Sequence, residues 1–108
     1  MAFSTNTQTN GNGVSNRAIG KLVTDASAAA AATLTLGFTP RYFKLVNLTD
    51  RISDEWFEGM ASASSLHTVA VGTQTLETTN GIAVSGVSVT LTATTLVASK
   101  TFYWIAEA

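Results

Sequence analysis

Residues 37–60, GFTPRYFKLVNLTDRISDEWFEGM, constrain the fold of this chain more than any other segment. They predict two successive β-strands, at 41–49 and 52–58, joined by a tight turn at Asp50 and Arg51. Both alternating sets of side chains in the first strand are largely apolar, which is typical of a strand at the centre of a sheet. The hairpin also holds most of the aromatic and charged residues, with Phe43 and Trp56 as expected core residues.

The rest of the chain contains further short runs in which apolar and polar residues alternate, separated by Gly, Asn and Ser. Residues 28–32 are all Ala and could form a helix capped by Asp25 and Ser27, but a helix this short is marginal, and the following Thr-Leu alternation favours a strand. Asn80-Gly81 is the strongest hairpin-turn signal, because both residues accept positive φ. Besides the hairpin, strands are predicted at 14–24, 30–36, 66–71, 74–78, 82–84, 87–92 and 100–107.

About eight short strands without intervening helices predict an all-β fold, a small antiparallel β-sandwich or barrel. The length of 108 residues suits one domain. Residues 1–13 are rich in Thr, Asn, Gln and Gly and contain Phe3 as their one aromatic residue. We therefore expect a single domain at 14–108 that follows an extended N-terminal arm, either frayed or ordered by a partner, with Phe3 as its anchor.

The composition excludes several classes of function. The absence of Cys removes disulfides and thiolate chemistry, and a net charge of −1 without a basic patch argues against nucleic-acid binding. No apolar run approaches the roughly 20 residues of a membrane helix, and no secretory signal is visible, so we expect synthesis in the cytoplasm and no membrane partner.

The low charge content leaves two interpretations open. Only 12% of the residues are charged, against about 25% in a typical domain, while 45% are hydrophobic. Either much of the surface contacts other protein, or the sheets are simply rich in Thr and Ala.

The polar residues of the hairpin predict no catalytic site. Asp54 and Glu58 lie about 13 Å apart along a strand, whereas paired glycosidase carboxylates lie roughly 5 to 9.5 Å apart. We interpret Asp54 as a solvated carboxylate near Arg51 and Lys44. His67, the single histidine, is interpreted as an exposed strand-end residue. The sequence therefore predicts no enzyme, no cofactor and no metal site.

The segments GFTPRYFKLVNLTDR, EWFEGMA, HTVAVGTQTL and KTFYWIAE resemble small virion proteins of tailed bacteriophages, across roughly residues 30 to 107. These include the jelly-roll decoration or cement proteins that bind the outside of an assembled capsid. The resemblance implies a jelly-roll-like sandwich and a location on the capsid exterior. Its partners would be the major capsid protein and neighbouring copies of the chain.

The expected function is thus a non-enzymatic phage structural protein that decorates and stabilises the capsid by bridging its subunits. The alternatives are a tail or head-fibre component, or a carbohydrate-binding sandwich in which Trp56 or Tyr42 stacks on a sugar beside Asp54 or Asn47. No residue role follows from the resemblance. Partner-binding candidates from the residues themselves are Phe3, Arg51, Asp54 and Glu58.

Overall fold

Eight antiparallel strands make up the regular structure of the computed structural model, which describes residues 16–108. The predicted all-β fold with about eight short strands is confirmed, and residues 16–108 contain no helix. The expected arm at 1–13, including Phe3, lies outside the described residues. The strands are β1 (Arg17–Val23), β2 (Ala32–Thr35), β3 (Tyr42–Asn47), β4 (Ile52–Phe57), β5 (Ser64–Thr68), β6 (Gln74–Ser85), β7 (Ser88–Leu91) and β8 (Thr101–Glu107).

The strands form one curled sheet in the order β1-β8-β3-β4-β5-β6-β7-β2, consistent with a small β-sandwich. From β3 to β7 each strand pairs with the next in sequence, while β8 returns to lie between β3 and β1. Strand β7 and the end of β6 pack over the inner face of β3 and β8, because side chains from both parts share one buried cluster. The core lies in the hollow of the curl.

Alternation along the strands decides which side chains enter this core. Phe43 and Leu45 of β3 are at most 1% exposed, and Trp56 of β4 is 7% exposed. The assignment of Phe43 and Trp56 to the core is therefore confirmed. Trp104 of β8 stacks on Phe43 with ring centroids 5.7 Å apart, and its indole lies where a Cβ on Gly20 would be.

The predicted hairpin turn at Asn80-Gly81 is wrong, because both residues lie inside β6. Ser65 of β5 pairs with Glu77, but the preceding Ser64 pairs with Ile82, so residues 78–81 form a bulge in β6. A Cβ on Gly81 would approach the amide nitrogen of Ser65 to 2.7 Å, so close strand contact requires glycine here.

A carboxylate stabilises this bulge from within the same strand. Oε2 of Glu77 accepts hydrogen bonds from the backbone N–H groups of the next three residues, at 3.0 to 3.1 Å. These bonds, led by that from Asn80, hold the pKa of Glu77 below its usual value. Beyond the bulge β6 pairs with β7, and the chain reverses at Gly86 and Val87.

Candidate functional site

The side of the sheet that points away from the core, here called the outer face, carries large apolar side chains on six adjacent strands. The register places one residue from each strand in a single row across this face. Its two end residues, Ile19 and Leu76, are 69% and 66% exposed. This central row consists of Ile19 (β1), Ile105 (β8), Lys44 (β3), Glu55 (β4), Leu66 (β5) and Leu76 (β6).

Aromatic residues extend the apolar surface on both sides of the central row. Tyr42 and Phe57 are cross-strand partners with ring centroids 5.1 Å apart, and Phe57 is 49% exposed. Tyr103 pairs with Val46, and the ammonium of Lys21 lies 5.7 Å from the centre of its ring. The two aromatic sites lie on either side of the row, next to polar outer-face residues that include Ser53, Thr68 and Glu107.

One opposite-charge pair lies at the middle of the central row. Lys44 and Glu55 are direct cross-strand partners, with apolar residues beyond each of them. Within residues 16–108, Lys44 forms no salt bridge, and Oε2 of Glu55 instead accepts a hydrogen bond of 2.7 Å from the hydroxyl of Tyr42. Burial of the ring, followed by the bond to the Glu55 carboxylate, raises the pKa of Tyr42 to about 12. The central row therefore has a charged centre with apolar residues on both sides.

The inner face holds a polar cluster made of Asp54, Ser65 and His67. Asp54 is 5% exposed, and its Oδ1 accepts hydrogen bonds from Ser65 Oγ at 2.8 Å and from His67 Nδ1 at 2.9 Å. A carboxylate can only accept hydrogen bonds, so Nδ1 of His67 is the donor. The interpretation of Asp54 as solvated is wrong, because its side chain is buried. His67 is the last but one residue of β5 and its side chain is 31% exposed, but its imidazole is turned to Asp54.

This cluster differs from a nucleophilic triad in its connectivity. The hydroxyl of Ser65 donates to the carboxylate instead of to the imidazole, and Ser65 is fully buried. A nucleophile must contact the base that removes its proton and must be reached by substrate. The cluster therefore satisfies buried polar groups, as expected for polar atoms inside a core.

The predicted sugar-binding arrangement is wrong for two reasons. Trp56 is buried, and its indole N–H lies 3.4 Å from the carbonyl of Ala61, so it offers no stacking surface. Tyr42 lies on the outer face, whereas Asp54 and Asn47 are buried on the inner face. Side chains on opposite faces of a strand cannot share one ligand.

The structure does not bring the partner-binding candidates together. Arg51 is exposed in the turn that joins β3 to β4, and Glu58 lies at the other end of the hairpin, 3.4 Å from Arg41. Asp54, between them, is on the inner face and out of reach of a protein that contacts the outer face. Phe3 lies outside the described residues.

The central row was missed because alternation assigns faces within one strand but does not give the register between strands. The missing information is the register of the five strand pairs that build the row, including the pairing of Lys44 with Glu55. Sequence alone places Ile19 and Leu76 in separate strands, far apart in the chain.

No family model, curated protein or solved structure matches this chain. Within residues 16–108 there is no group of three or more His, Asp and Glu side chains that could hold a metal ion. The same residues contain no helix long and apolar enough to cross a membrane.

Proposed function

We propose that this chain is a non-enzymatic structural protein of a tailed phage particle, which decorates the assembled capsid and stabilises it by bridging capsid subunits. The observation that supports this proposal is the outer face, where exposed Ile19, Leu76 and Phe57 extend across six strands. Contiguous apolar patches on small proteins commonly mark protein contacts. The sequence resemblance supplies the phage setting.

The fold suits a protein whose function is to hold others in place. Its core is formed by side chains from both ends of the curled sheet, so the outer face rests on a well-packed support. On a capsid, many identical weak contacts combine through multivalency, so each contact needs only modest affinity. The partners in this proposal are the major capsid protein and neighbouring copies of the chain, on the capsid exterior.

Quantitative mass spectrometry of purified particles from a phage that encodes the chain tests the proposal. A capsid decoration protein is expected in many copies, at a fixed ratio to the major capsid protein. Absence from particles, when the chain is present in the infected cells, would contradict a structural role. A few copies per particle would instead assign the chain to the tail or to head fibres.

A second measurement tests stabilisation separately from attachment. Particles that lack the chain should release their DNA at a lower temperature than complete particles, and purified protein added back should restore the original temperature. Unchanged release temperatures would show that the chain attaches without stabilising the capsid.

A further inference from the structure

We infer that the outer face binds the outer face of a second copy of this chain, related by a two-fold axis that runs along the boundary between β3 and β4. Two sheets that pack face to face in the aligned arrangement keep their strands to within about 30° of each other. The axis would lie between the two sheets, parallel to these two strands. The inference deepens the proposed function by naming one partner and the surface that it binds. It rests on that function, because it treats the chain as a protein that acts through protein contacts.

The central row carries the inference because its chemistry is symmetric about that axis. Rotation by 180° about a line between β3 and β4 exchanges the two halves of the row. Lys44 of one copy then faces Glu55 of the second copy, and Glu55 faces Lys44. Two opposite-charge contacts form at the centre of the interface, and Lys44, which has no salt bridge within residues 16–108, gains a carboxylate partner.

The apolar residues match under the same rotation. Ile105, next to Lys44, faces Leu66, which is next to Glu55. At the ends of the row, Ile19 faces Leu76, and these are two of the most exposed large apolar side chains on the face. In the neighbouring row, Tyr42 faces Phe57 of the second copy. Apolar groups are thus covered by apolar groups along the central row on both sides of its charged pair. In the row on the other side, Val46 faces Ser53 and Tyr103 faces Thr68 of the second copy.

For sheets with aligned strands, the other two-fold axis between the two faces runs along the row, at right angles to the strands. It would place Lys44 against Lys44 and Glu55 against Glu55 at the centre of the contact. Like charges placed directly against each other in an interface are costly. The charge pattern therefore selects the axis along the strands.

The size of the face sets the expected strength of the dimer. Six strands span about 24 Å and five residues along each span about 17 Å, so each copy contributes about 400 Å². A standard interface uses about 800 Å² per partner, so we expect a weak, concentration-dependent dimer in solution. Attachment of copies to a common lattice would raise their effective concentration and favour the same contact.

Charge reversal tests the pairing directly. Sedimentation equilibrium of the purified chain, up to about 1 mM, should show a monomer–dimer equilibrium. Lys44→Glu and Glu55→Lys should each weaken it at least about tenfold, because each variant places like charges in both central contacts. An equimolar mixture of the two variants should form a heterodimer, because the Glu introduced at position 44 of one variant then faces the Lys introduced at position 55 of the other. In the second central contact, the native Glu55 of the first variant faces the native Lys44 of the second. Arg51→Glu makes the same charge change in the β3–β4 turn, away from the row, and should dimerise like the wild type.

The mixture keeps the test independent of folding, since a misfolded variant could not recover association by mixing. The inference is overturned if the wild type is monomeric throughout, if both single variants dimerise normally, or if their mixture stays monomeric. Presence of the chain in particles together with a monomeric protein in solution would overturn this inference and leave the proposed function standing. A dimer in solution together with absence of the chain from particles would overturn the proposed function and leave this inference standing.

Discussion

His67 Nδ1 donates a hydrogen bond to Asp54 Oδ1 at 2.9 Å, and this contact shows which side of β4 faces the core. Successive residues of a strand point to opposite faces. With Asp54 turned inward, Glu55 is turned outward to the centre of the outer face. A buried carboxylate on one face and a charged pair on the other therefore follow from one alternation.

Removal of the Asp54 carboxylate should destabilise the fold. Asp54→Ala leaves the hydroxyl of the fully buried Ser65 without its acceptor, so we expect a loss of about 1–3 kcal/mol in the free energy of unfolding. Urea denaturation followed by circular dichroism measures this change. Ser65→Ala removes a donor and should cost less. If the urea midpoint of unfolding is the same for Asp54→Ala as for the wild type, the polar cluster contributes nothing to stability.

The bulge in β6 should tolerate substitution poorly at Gly81. A Cβ at this position meets the backbone of β5, which cannot move aside. Gly81→Ala should therefore lower the free energy of unfolding by about 1–3 kcal/mol. At Gly20 the added Cβ meets the indole of Trp104, which is a side chain and not backbone and would have to move across Phe43. Gly20→Ala should therefore cost less and change the tryptophan fluorescence. Equal costs for the two variants would show that strand contact at Gly81 is not the limiting feature.

The raised pKa of Tyr42 predicts a loss of stability at alkaline pH. Between the usual value of 10.0 and about 12, the unfolded chain loses the phenolic proton while the folded chain keeps it. The stabilisation is fully present below pH 10 and is lost as the pH rises through about 12.

Two variants isolate this effect. The chain has two tyrosines, so in Tyr103→Phe the ultraviolet absorbance of tyrosinate reports Tyr42 alone, and it should titrate near pH 12. In Tyr42→Phe, the part of the stability loss in this pH range that arises from Tyr42 should disappear. If the tyrosinate absorbance of Tyr103→Phe has its midpoint at the usual pH of 10.0, neither burial nor Glu55 affects the Tyr42 hydroxyl.

The strands were predictable because alternation with period two reflects burial of one side of a sheet. Residues 41–49 and 52–58 were predicted as strands, and β3 and β4 lie within them. The length of β6 was not predictable. Its bulge depends on hydrogen bonds from the following backbone N–H groups to Glu77 and on close contact with β5. Neither can be recognised from the alternation of apolar and polar residues.

Contacts between strands were harder to predict than the strands themselves. Trp56 was assigned to the core, and Asp54 shares its face, yet the carboxylate was interpreted as solvated. Burial of Asp54 depends on donors from β5, at a register that one strand's sequence does not contain. For the same reason, the sequence does not predict the central row from Ile19 to Leu76.

The central claim is that the chain serves a phage particle through its outer face, and occupancy of particles by a matched pair of variants tests it most directly. Ile19→Ser removes an apolar side chain that is 69% exposed on this face, whereas Val71→Ser removes one that is 88% exposed in the turn between β5 and β6. Neither change should alter folding by more than about 0.5 kcal/mol. Mass spectrometry of purified particles should find wild-type copy numbers for Val71→Ser and several-fold fewer copies for Ile19→Ser. Equal copy numbers for the two variants would contradict the claim.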